Sequence, residues 1–108
     1  MSMEDNELVP VAMQIILHAG DARVLANEAI EHAKKAEFKE ATLKLSEAHD
    51  KIVKAHQSQT KVIQDETRGI EHEPSLLFTH AQDTMMTISS ELRLTKVLVE
   101  MFELILTK

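Results

Sequence analysis

Of the six histidines in this chain, one stands among residues whose spacing could do chemistry. His80, Asp83, Thr84 and Thr87 fall at i, i+3, i+4 and i+7, which places them along one side of a helix. A histidine with a carboxylate one turn away can act as a metal ligand, a general base or a phosphoryl acceptor. Spacing alone leaves these three open, together with a plain solvated histidine. His49 and His56 are seven apart on the apolar side of the second helical stretch. Without a nearby third ligand they make a weak zinc pattern, and they are expected to be buried or interface histidines with a hydrogen-bonding partner. His18 and His32 lie on the first helical stretch and His72 in a linker, and no chemistry is assigned to them. The chain has no cysteine, so no disulfide or thiolate is available. It carries no glycine-rich phosphate loop, no Ser-His-Asp order and no zinc-protease motif, so an enzyme built around a substrate pocket is not indicated.

The elements that must position His80 are helical. The 108 residues suffice for one domain with one modest core, and 44% of them are apolar. Glycine and proline occur only twice each, while Ala, Leu, Glu, Lys, Gln and Met are plentiful. Such side chains lose little rotamer freedom in a helix. Residues 1–7 are expected to be disordered, and helices are expected over about 8–35, 38–66 and 74–106. On the first, Met13, Ile16, Leu17, Gly20, Val24 and Asn27 recur at three- and four-residue spacing and are read as its packing face. The turn near Ala36 and Glu37 contains no glycine, which predicts a soft boundary. On the second helix the apolar face reads Phe38, Ala41, Leu45, Ala48, Ile52, Ala55, Val62 and Ile63. The segment Thr67-Arg-Gly-Ile-Glu-His-Glu-Pro74 is the clearest break, with Gly69 ending one helix and Pro74 opening the next. Short connections between long helices imply antiparallel neighbours, hence an all-α, up-down-up three-helix bundle.

The third helix has two apolar stripes. Leu77, Ala81, Met85, Ile88, Leu92, Val99, Phe102 and Leu106 should pack on the other two helices. A second stripe, roughly 100° away, holds Leu94, Leu98, Met101 and Ile105 and turns polar toward the N-terminus through Glu91, Thr87, Asp83 and His80. A lone bundle has one core and no use for that surface, so self-association through the third helix is expected. Leu76, Leu77 and Phe78 can be core or can ring the histidine as a docking surface.

Charge and hydropathy narrow the remaining classes. A formal net charge of −6 with three aromatics suits neither phosphate neutralisation nor base stacking, so no nucleic acid is expected. The acidic N-terminus lacks the features of a signal peptide, and no apolar run is expected to approach the roughly 20 residues that cross a bilayer. A cytoplasmic protein without direct membrane insertion is the expectation.

The run Leu76-Leu-Phe-Thr-His-Ala-Gln-Asp-Thr-Met-Met-Thr87 resembles the signature of the lactose/cellobiose-type (chitobiose-related) enzyme IIA proteins of the bacterial phosphoenolpyruvate-dependent sugar phosphotransferase system, where a hydrophobic lead-in precedes His-Ala-Gln-Asp-His-Leu-Met-Thr. Gly20-Asp-Ala-Arg-Val-Leu-Ala-Asn-Glu-Ala29 is similar to that family's first-helix motif, usually Gly-Asn-Ala-Arg-Ser. Glu47-Ala-His and Ala55-His-Gln-Ser-Gln-Thr-Lys-Val-Ile-Gln64 resemble its second helix. The resemblance runs over nearly the whole chain and in order, which makes it specific.

The resemblance implies a homotrimer with the third helices around the threefold axis. It implies that His80 accepts a phosphoryl group from phospho-HPr and passes it to a cysteine of a IIB component, for uptake of a lactose-, cellobiose- or chitobiose-type disaccharide. Asp83 matches an aspartate near the trimer axis, where three copies share one divalent ion, expected to be Mg2+ in a structural role. Gln82 belongs to the motif and is a candidate for positioning His80. Two departures stand out: Thr84 replaces the family's usual second histidine, and Ala-Glu-Phe replaces Gly-Asp-Phe at the first turn. Neither touches His80. A helical adaptor or regulatory trimer without phosphoryl transfer, and a trimer with a functional metal at Asp83, are the competing expectations.

Overall fold

In the computed structural model the described residues are 7–108, and they form three α-helices and no strand: α1 (Leu8–Lys34), α2 (Phe38–Thr67) and α3 (Leu76–Leu106). The expected disorder of residues 1–7 falls mainly on 1–6, outside the described residues, and Glu7 is a turn residue leading into α1. Contacts fix the directions. Asp21 meets Lys51 and Glu28 meets Lys44, so α2 runs back along α1. Glu7 meets His72 and Arg23 meets Glu91, so α3 runs parallel to α1. The result is an up-down-up three-helix bundle with extents of 59 × 25 × 16 Å.

The helix ends are set by local chemistry. At the end of α1 the Glu37 N–H donates to the His32 carbonyl at 2.9 Å and the Ala36 N–H to the Ala33 carbonyl at 3.0 Å. This is a Schellman closure, and it puts Ala36 in the left-handed region at φ 61°. The boundary is therefore sharp, contrary to the soft one expected, and His32 Nδ1 also lies 2.9 Å from the Glu37 carboxylate. The same closure ends α2, with Gly69 at φ 83° and the Ile70 N–H donating to the Asp65 carbonyl at 2.9 Å. The third helix opens at Leu76 and not at Pro74. Ser75, extended at φ −135°, is the N-cap, and its hydroxyl accepts from the Phe78 N–H at 3.1 Å.

The core corrects the expected face of α1. Its buried stripe is Leu8, Ala12, Ile15, Ala19, Ala22, Ala26, Ala29 and Ala33, whereas Met13, Leu17 and Val24 are exposed. Both stripes have helical spacing. Alanines let α1 approach its neighbours closely, so the smaller side chains win the interior and the larger ones remain outside. On α2, Ala41, Ala48, Ile52, Ala55 and Val62 are buried, Phe38 and Leu45 pack partly against them, and Ile63 is exposed. On α3, Phe78, Ala81, Met85, Ile88 and Val99 are buried, Leu77, Leu92 and Phe102 are half-buried, and Leu106 is exposed. Ile15, Met85 and Ile88 are the largest fully buried side chains. Each contributes about 1.5–3 kcal/mol by leaving water.

One hydropathy expectation is also corrected. By length and composition α1 is apolar enough to cross a membrane. That apolarity comes mainly from Leu, Val and Ile side chains, of which Leu8 and Ile15 join the alanines in packing on α2 and α3.

Candidate functional site

His80 sits in the second turn of α3, just inside the Ser75 cap, and its side chain is exposed. Among the described residues its imidazole has no side-chain partner, and its carbonyl accepts from Thr84 Oγ1 at 2.8 Å. Both ring nitrogens are open to an incoming group. The early N–H groups of α3 give this end of the helix a positive field, and helical side chains lean back toward the N-terminus. An anion carried on His80 would lie in that field.

Asp83 and Thr87 are exposed on the same side of α3 as His80, and Thr84 is half-buried beside them. The Asp83 carboxylate makes no hydrogen bond or ion pair among the described residues, and no group of three metal-ligating side chains forms within the described part of one chain. One carboxylate per chain is a donor a hard divalent cation accepts, but a single copy cannot complete its shell. Gln82 lies elsewhere. Residues two apart do not share a helix face, and half-buried Gln82 lines a groove of about 620 Å³ with Val62, Ile63, His72 and Thr79. The expected positioning of His80 by Gln82 is therefore not a direct contact within the chain.

The lead-in divides by role. Phe78 is core, Leu77 is half-buried, and Leu76 is 86% exposed one turn before His80. His49 and His56 are exposed and not buried, because the α2 face that packs is the alanine stripe beside them. His56 Nε2 is 3.5 Å from Ser89 Oγ, and His49 lines a groove of about 520 Å³ between α2 and α3.

Two features escaped the sequence. His72 is a clamp: its Nδ1 pairs with the Glu7 carboxylate and its Nε2 lies 3.4 Å from Asp65 Oδ2, with only 9% of the side chain accessible. The hydrogen bond to Glu7 raises its pKa above 6.5, burial opposes this, and Asp65 adds to the rise. The clamp ties the linker before α3 to the ends of α1 and α2, and so fixes the turn that presents His80. The second feature joins Arg23 to Glu91, with Nε 2.9 Å from Oε1 and Nη2 2.8 Å from Oε2. Partners 65 and 68 positions apart leave no local signal.

Farther along α3, Leu94, Leu98, Met101 and Ile105 are 63%, 51%, 48% and 63% exposed. The second apolar stripe therefore has no partner among the described residues.

The family model for the lactose/cellobiose-specific IIA subunit of the phosphotransferase system matches residues 10–103. The chain is 39% identical over 99 residues to the lichenan-specific phosphotransferase enzyme IIA component of Bacillus subtilis (strain 168), covering 92% of this chain and 90% of that one. It is 34% identical over 100 residues to the N,N'-diacetylchitobiose-specific EIIA component of Escherichia coli (strain K12), covering 93% and 86%. The fold is similar to the crystal structure of a cellobiose-specific enzyme IIA from Bacillus anthracis, with a TM-score of 0.87, 32% identity and coverage of 100% and 95%. It is also similar to a chain in the solution structure of the IIA(chitobiose)–HPr complex of Escherichia coli, with a TM-score of 0.80, 32% identity and coverage of 92% and 96%.

Proposed function

Because this chain belongs to the lactose/cellobiose-specific IIA family of the phosphotransferase system, we propose that His80 is the residue through which it carries phosphoryl groups. The donor is phospho-HPr and the acceptor is a cysteine of a IIB component, serving uptake of a lactose-, cellobiose- or chitobiose-type disaccharide in the cytoplasm. The observation that carries this is the exposed imidazole of His80, without a side-chain partner among the described residues, near the N-terminus of α3 and inside the segment the family model matches.

The chemistry is an in-line displacement. The P–N bond of the donor phosphohistidine breaks as His80 Nε2 forms a new P–N bond, and Nδ1 keeps its proton throughout. The donor imidazole leaves neutral. In the second step the P–N bond to His80 breaks as a cysteine thiolate forms a P–S bond, which returns His80 to its starting state. Alignment and charge stabilisation are the main demands, and the N-terminal field of α3 favours the phosphorylated form. An acidic surface suits encounter with a basic donor, and Leu76 offers an apolar contact beside the histidine.

The working assembly is a homotrimer in which the α3 stripes of three copies meet. That arrangement buries Leu94, Leu98, Met101 and Ile105 and draws three Asp83 carboxylates together. Such a group repels unless protons or a cation neutralise it. One Mg2+ held by the three Asp83 side chains would supply that neutralisation and hold the assembly, with no part in the transfer.

Incubation with phosphoenolpyruvate, enzyme I and HPr, followed by intact mass, tests the proposal. The expected result is an acid-labile gain of one phosphate in the wild type and none in His80→Ala. A folded wild type that gains no phosphate beside active HPr would overturn it in favour of a helical adaptor.

A further inference from the structure

On α3, Glu91, Leu94, Leu98, Met101 and Ile105 succeed one another at alternating steps of three and four, and toward the N-terminus the same face turns polar through Thr87, Asp83 and His80. That is the rung pattern of a coiled-coil seam. Every rung beyond residue 91 is apolar, and every rung before it is polar. Glu91 is the junction, a carboxylate 47% exposed at the first rung of that face. It is also the rung that α1 reaches: Arg23 grips both carboxylate oxygens at 2.9 and 2.8 Å.

We propose that the Arg23–Glu91 pair is the register key of this chain's self-association, admitting one neutralised carboxylate per copy to the α3 seam and selecting a parallel, in-register assembly of identical copies. The inference rests on the homotrimer proposed above and adds the residues that decide how its copies align. In a single chain the two side chains are 45% and 47% exposed, and so open a pair adds little to stability. Its geometry therefore calls for another explanation, which the seam supplies.

When copies align in register, the three pairs meet at one level and their charges can alternate around the axis. A slip of one heptad, about 10 Å along the helix, sets Glu91 of one copy against Leu98 of the next and leaves charge opposite an apolar group. An antiparallel arrangement fails in the same way over most of its length. A polar group at one seam position is a known means of fixing register and oligomer number at some cost in stability. The register has a consequence for the site, because the same slip would carry His80 and Asp83 of one copy away from those of the next.

The test is analytical ultracentrifugation over a concentration series, with circular dichroism as a check on the fold of each variant. The wild type, Arg23→Glu, Glu91→Arg, the swapped double variant and Arg23→Leu/Glu91→Leu are compared. Each single reversal should raise the concentration at which the assembly half-dissociates by at least about tenfold while helicity is retained, and the swap should restore most of the loss. The double leucine variant should associate at least as tightly as the wild type but spread over more than one oligomeric species. A trimeric wild type whose reversals dissociate unchanged, or a double leucine variant that stays a single trimer, would sink the register key and leave the trimer standing. A monomeric wild type would overturn the trimer, and the register key with it.

Discussion

Thr84 Oγ1 donates a 2.8 Å hydrogen bond to the backbone carbonyl of His80, one turn back along α3. The residue standing where the family usually has a second histidine thus spends its proton within its own helix. Its hydroxyl is not needed to orient the imidazole. Thr84→Ala should therefore leave the rate of phosphoryl transfer from HPr within a factor of about two to three of wild type. Rapid-quench labelling reads this directly. A loss of a hundredfold would mean that Thr84 touches the transferring group.

The Glu7–His72–Asp65 clamp should show itself in the pH dependence of stability. The folded pKa of His72 is raised, chiefly by the hydrogen bond to Glu7. A raised histidine contributes stability that is fully present below its unfolded pKa, near 6.5, and is lost as pH climbs through the folded value. His72→Gln should lower the thermal midpoint at pH 6 and lower it much less at pH 9. The carboxylates that face it are Glu7 and Asp65, and Glu66 and Glu73 line the same groove. An equal loss at both pH values would assign the effect to packing.

Ala36 pays a backbone penalty that glycine would not. At φ 61° an alanine is strained by about 1–2 kcal/mol. Glycine relieves this but gains freedom in the unfolded chain, so Ala36→Gly should stabilise by a net 0.5–1 kcal/mol or about that. The closure around it, with Glu37 bonded to His32, is kept. Urea denaturation at constant slope measures the shift. A lower midpoint would show that residue 36 makes contacts worth more than the strain.

The bundle and its helix order were legible in the chain because periodicity and breaks are local properties. Gly69 and the residues around it mark the α2–α3 turn unaided. The orientation of α1 was not legible. Met13, Leu17 and Val24 outweigh alanine on any hydropathy scale, yet close packing rewards small side chains, and the Ala12–Ala33 stripe turned inward. The His80 face and the unpartnered rungs beyond it were readable from the same spacing. The His72 clamp and the Arg23–Glu91 pair were not, since each joins residues brought together only by the antiparallel return of α2 and the parallel placement of α3.

Asp83 provides the last prediction. Its carboxylate is exposed and unpaired among the described residues, on the side of α3 where copies are proposed to meet. Three such groups brought within a few ångströms must share protons or a cation. Chelation with EDTA should then lower the thermal midpoint of the wild-type assembly, and added Mg2+ should restore it. Asp83→Asn removes the repulsion along with the ligand, so its midpoint should no longer respond to either reagent. Phosphorylation of His80 should persist in the chelated protein and in the variant, because the transfer draws on the donor's P–N bond and on alignment rather than on a metal. If chelation instead abolished phosphorylation while the assembly remained intact, the ion would belong to the chemistry, and Asp83 would rank with His80 as a functional residue.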